Sequence, residues 1–114
     1  MKVILFDKNS AVVPSKEVVD LASWAIDMKQ KYPIHQWMSI GGRAAPDEAQ
    51  ASALAASRAA AVRMLTVQFG LTKSPVEANS YVNTPEAAKL NGEKARSVLI
   101  DLNPGCPNNC CDAQ

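Results

Sequence analysis

Histidine, cysteine and the aromatic residues are scarce in this chain, and the scarcity removes most catalytic and metal-centred functions. There is one histidine, His35, and aromatics make up 5% of the residues. No serine or cysteine nucleophile and no carboxylate stands at a recognisable catalytic spacing from His35, and there is no glycine-rich phosphate loop, so no enzymatic activity is expected. The three cysteines, Cys106, Cys110 and Cys111, crowd into the last nine residues. Their spacing fits no zinc template, which needs paired short-spacer cysteines or added histidine. No metal and no cofactor is therefore expected. An excess charge of either sign is also missing: 12 basic residues face 11 acidic ones, for a net charge of +1. Long-range charge therefore does not select a nucleic acid or an anionic membrane surface as partner, which leaves only local basic clusters. No apolar run is long enough to span a bilayer. The opening Met1-Lys2-Val3-Ile4-Leu5-Phe6-Asp7 stops being apolar at Asp7 and lacks a small-residue cleavage pattern, so it is not a signal peptide as it stands.

What is present is ordinary globular material: 114 residues, 47% hydrophobic and 20% charged, enough for one domain with its own core. Residues 3–7 read as a short buried strand. Ser15 reads as the N-cap of a helix whose apolar face is Val18, Leu21, Ala22, Ala25 and Met28. Pro33 closes that helix, because the residue before a proline avoids the helical region. Residues 37–41 read as the second strand, with Gly41 and Gly42 at its exit, where the backbone can turn or approach a ligand. Pro46 suits the first position of a long second helix, and Asp47 and Glu48 complement its positive end. Its apolar stripe is Ala51, Leu54, Ala55, Val62, Leu65 and Phe69, and Gly70 stops it. Arg58 falls on its polar side. Residues 75–82 and 96–102 read as two more strands, joined by a short helix or turn that starts at Asn83-Thr84-Pro85. The expected order is β-α-β-α-β-β, an α/β (α+β sandwich) fold with two main helices on a four-stranded mixed sheet. The domain spans 1–102, and 103–114 form a polar tail.

Several residue groups together resemble the OmpA-like C-terminal domain family. The pattern runs Tyr32-Pro33, a strand, Gly41, then Leu54-x3-Arg58-Ala59-x2-Val62. Phe6-Asp7 with Pro14 resembles the family's opening strand and loop. Ser80-Tyr81-Val82 sits at the family's Gly-Tyr-Gly, and 92–98 at its Gly-Arg-x2-Asn-Arg-Arg-Val segment. The resemblance implies a non-catalytic domain of the periplasm or cell envelope that binds the peptidoglycan stem peptide. In the family an aspartate after the second strand and an arginine on the second helix grip diaminopimelate. A zwitterion needs one anion and one cation held a fixed distance apart, which explains the pairing.

Arg58 matches the family arginine, but the aspartate position is Arg43 or Ala44. Ala51 and Ala95 replace two family asparagines, and the nearest carboxylates, Asp47 and Glu48, are displaced by three to five residues. The candidate ligand residues are therefore Arg58, Arg43, Asp47 and Gly42, with binding weakened or redirected. The rival reading is the same fold as a protein-interaction or structural module with an envelope protein as partner. A third, an anion site from Arg43, Arg58, Arg63 and Arg96, runs against the near-zero net charge. Arg43 is also expected to pair with Asp47, and Trp24 and Trp37 to pack rather than stack on sugars. The chain is expected to be a monomer. Cys106 with Cys110 or Cys111 could close a short disulfide, or one thiol could join two chains.

Overall fold

The computed structural model describes residues 2–32, 35–72 and 74–104. Pro33 and the cysteine tail, with its disulfide and chain-linking alternatives, lie outside them. Four strands and three helices follow in order: β1 Lys2–Leu5, α1 Ser15–Lys31, β2 His35–Ala44, α2 Ala51–Gln68, β3 Val76–Val82, α3 Pro85–Asn91 and β4 Ser97–Pro104, with a 3₁₀ turn, Gly92–Ala95, before β4. The fold is the expected α+β one, with helices packed on a four-stranded mixed sheet. Strand order is β1-β4-β2-β3. β4 runs antiparallel to both neighbours, and β2 and β3 are parallel.

Strand alternation sorts the side chains into two faces. Ile4, Met38, Ile40, Val98, Ile100 and Leu102 point under the helices and join Leu21, Ala25, Ala59 and Val62 in one core. The other face carries Trp37, 41% exposed. Trp24 packs against the core edge. His35 is buried at the start of β2, its Nε2 3.2 Å from the Met28 carbonyl. α2 ends as Gly70 implies: its φ is 81°, and the N–H groups of Gly70 and Leu71 return to the Val67 and Thr66 carbonyls.

Four local expectations are corrected. β2 does not end at Gly41-Gly42 but continues to Ala44, because both glycines keep their ladder partners on β3 and β4. Pro46, Asp47 and Glu48 are not in the first turn of α2, which begins at Ala51. Residues 45–50 form turns instead, and Gln50 takes a left-handed conformation with φ 49° just before the helix. Ser15 is the first helical residue after Pro14, and no side chain caps α1. Arg58 is not on the polar side of α2. It lies three residues after Ala55 and four before Val62, on the buried face.

Candidate functional site

Three segments converge on Arg58. The loop after β1, residues 7–10, turns at Asn9, whose φ is 61°. The end of β2 passes beside it, and the 45–50 loop folds back over both. Arg58 projects from α2 into the space between them and is wholly buried. Its guanidinium carries five N–H donors, and all five are used inside the chain. Nε donates to the Ser10 carbonyl at 2.8 Å. Nη1 donates to the Arg43 carbonyl at 3.0 Å and to Glu48 Oε1 at 2.9 Å. Nη2 donates to the Asp7 carbonyl at 3.1 Å and to Glu48 Oε2. The Phe6 ring lies beneath, 5.3 Å from the guanidinium carbon.

Glu48 is the second half of this box. Its carboxylate takes both forks of Arg58, the arrangement that planar guanidinium and carboxylate groups favour. Oε1 also accepts from the Ala45 N–H at 2.9 Å, and Oε2 from the Asn9 N–H at 2.8 Å. Asn9 completes the link, its Oδ1 accepting from the Ala49 N–H at 2.9 Å. One ion pair thus ties the β1–α1 loop, β2, the β2–α2 loop and α2 together.

Burial by itself pushes the Glu48 carboxyl up, towards the neutral acid. The Arg58 hydrogen bonds, the Ala45 and Asn9 N–H groups and the Arg58 charge outweigh it, and the group sits below the usual glutamate range. A depressed folded-state value means that the carboxylate stabilises the fold above the ordinary glutamate range. That contribution is lost as pH falls through the folded-state value. Denaturant midpoints are therefore expected to be flat near neutrality and to drop below about pH 4.5, the ordinary glutamate value. In Glu48→Gln the drop attributable to this group should vanish, and an unchanged acid limb in that variant would contradict the assignment.

The other candidates are not brought to the same place. Gly42 is buried against α2: a Cβ added there would lie 2.2 Å from the Ala55 carbonyl oxygen and 2.9 Å from the Ala59 Cβ. Arg43 points to the opposite face of the sheet and stacks over Tyr81, 5.8 Å from the ring centre. It does not pair with Asp47, which instead meets Lys8 at 3.2 Å in an exposed bridge. Arg63 lines a groove of about 540 Å³ between α2 and β3. The arginine patch considered from sequence is thus dispersed. A second concavity, about 510 Å³, lies between loop residues 45–47 and α3, with Asp47, Lys89 and Arg96 on its walls. Among the described residues no group of three potential metal ligands gathers, and no helix is long and apolar enough to cross a membrane. Glu48 was legible as a nearby carboxylate; its role was not, because nothing local shows the loop carrying it back onto Arg58.

No protein-family model and no curated protein sequence matches this chain. Solved structures do. The C-terminal domain of Helicobacter pylori MotB superposes with a TM-score of 0.73 at 17% identity, covering 93% of this chain and 87% of its own. The OmpA-like domain of FopA1 from Francisella tularensis gives 0.65 at 19% identity, covering 91% and 74%. The peptidoglycan-associated lipoprotein from Burkholderia pseudomallei gives 0.59 at 17% identity, covering 90% and 91%. The chain has the fold of the OmpA-like C-terminal domains, at a sequence distance where likeness carries the fold and not the ligand.

Proposed function

We propose that this chain is a non-catalytic domain of the periplasm or cell envelope whose stem-peptide slot is closed by its own Glu48. The observation that carries the reading is the saturation of Arg58. With its five donors engaged and its side chain fully buried, a ligand carboxylate must displace Glu48 before it can reach the guanidinium. Displacement leaves Glu48 to be rehydrated and the Ala45 and Asn9 N–H groups without their acceptor, so peptidoglycan binding through this slot is weakened. The position of the family's aspartate adds to this. Arg43 or Ala44 stands there; the Arg43 side chain lies over Tyr81 on the opposite face of the sheet, and neither residue offers an acid to a ligand ammonium group. The resemblance to a peptidoglycan-associated lipoprotein supports the envelope setting.

A second reading, an interaction or structural module with no cell-wall ligand, is favoured by a separate observation. The open groove between α2 and β3 is lined by Met64 and Val67, 64% and 53% exposed, and none of its lining residues supplies a group to the Arg58 box.

An amide-resolved NMR titration with a diaminopimelate-bearing muropeptide tests the closed slot. The expected result is no movement of amides 41–58 at millimolar ligand, and no retention on purified sacculi that free diaminopimelate competes away. Shifts clustered at Gly41, Gly42, Glu48 and Arg58 would show a working slot and overturn the proposal.

A further inference from the structure

Beyond the closed slot, one of the two edges of the sheet is built to pair. β3 is an edge strand: β2 lies on one side of it, and no strand lies beyond it in the described sheet. The Met38 N–H reaches the Pro75 carbonyl, and the Asn83 N–H reaches the Ala44 carbonyl. Odd-numbered residues of β3 therefore turn their backbone groups towards β2. By alternation, the N–H and C=O groups of Val76, Ala78, Ser80 and Val82 point outwards from the sheet. Few of the devices that usually blunt such an edge are present, Glu77 being the one charged side chain on the strand. The strand reads Val-Glu-Ala-Asn-Ser-Tyr-Val, without lysine or proline, and its register with β2 has no bulge.

We propose that this edge pairs antiparallel with the same edge of a second copy, about a two-fold axis at Asn79. If the helices of both copies are to stay on one face, residues of equal parity must lie opposite one another. Centring on Asn79 then sets Ala78 against Ser80 and Val76 against Val82. All four outward-pointing residues become hydrogen-bonded pairs, whereas centring on Ala78 or Ser80 leaves one of them out. The side chains fit the same register. On the open face, Glu77 lies opposite Tyr81 of the second copy, and that ring sits under Arg43. Each Glu77 thereby approaches the other copy's Arg43. Among the described residues, neither belongs to an ion pair within the chain. On the helix face, the small Ala78 and Ser80 leave room for Met64 and Val67 of two antiparallel α2 helices to close over the joint. The contact is isologous, as closed dimers require.

Sedimentation of the full chain across a concentration series, with the tail cysteines kept reduced, tests the pairing. A reversible dimer is expected. Ser80→Pro removes an N–H that points away from β2, so it should yield a monomer with an unchanged circular dichroism spectrum. Glu77→Arg should weaken association by about tenfold through two like-charge contacts, and adding Arg43→Glu should recover it. Monomer at every concentration would overturn the proposal. So would a dimer that is indifferent to the charge swap, which decides the matter should the proline variant misfold.

Discussion

Arg58→Ala is expected to lower the stability of the domain by about 3–5 kcal/mol, the usual result of removing one partner of a buried ion pair. The loss comes from what remains behind. Glu48 would keep a carboxylate in a fully buried site with only the Ala45 and Asn9 N–H groups as donors. The carbonyls of Asp7, Ser10 and Arg43 would lose their donor at the same time. Folded domains of ordinary stability have only about 5–15 kcal/mol in hand, so a large share of the molecules would unfold at moderate temperature. Urea denaturation followed by circular dichroism measures this directly. Arg58→Lys should recover little, since an ammonium has three donors and cannot match a planar fork. A double-mutant cycle with Glu48→Met and Arg58→Met should show a coupling of about 1–3 kcal/mol, because removing both charges is milder than stranding one. If Arg58→Ala instead shifted stability by less than about 0.5 kcal/mol, the range of ordinary surface substitutions, the buried box would be wrong.

The second large effect is expected at Gly42. A methyl group there would stand 2.2 Å from the Ala55 carbonyl oxygen, with the Ala59 Cβ and N–H also within contact. These obstacles are the helix backbone and a side chain that has no rotamer to change, so α2 as a whole must lift from β2. Overpacking of this kind costs about 1–3 kcal/mol and sometimes more, and Gly42→Ala should fall at the upper end. The adjacent residue is the control. A Cβ at Gly41 would meet only Asn79 Oδ1, at 3.2 Å, the end of a side chain that can turn away. Gly41→Ala should therefore be close to neutral, or mildly stabilising, since alanine loses less backbone entropy than glycine. Similar melting temperatures for the two variants would show that α2 does not lie as close to β2 as described.

Both effects follow from the way α2 reads. The close approach of Ala59 to Gly42 was not legible, but Ala51 and Ala55 belong to the apolar stripe read from the sequence, and that stripe was. So were α1, α3 and the strands, because apolar periodicity is local: Leu21 and Ala25 repeat at helical spacing, and Val98, Ile100 and Leu102 alternate. Arg58 was misplaced because a charged side chain on an apolar stripe looks like an interruption of it. It is tolerated there only because distant groups complete its hydrogen bonding. The start of α2 was misjudged for a related reason. Pro46-Asp47-Glu48 has the chemistry of a helix N-terminus, yet Glu48 is drawn back to Arg58 and the chain needs Gln50 at positive φ before the helix can begin.

The existence of the elements, their order and the likeness to OmpA-like domains are carried by periodicity and spacing along neighbouring residues, and so were readable without the fold. Tertiary structure alone decided the state of the slot. The groups that saturate Arg58 come from positions 7, 10, 43 and 48, and three of the four are backbone carbonyls, whose identity no side chain advertises. Only folding brings those oxygens to one guanidinium, and with them the carboxylate that shuts it.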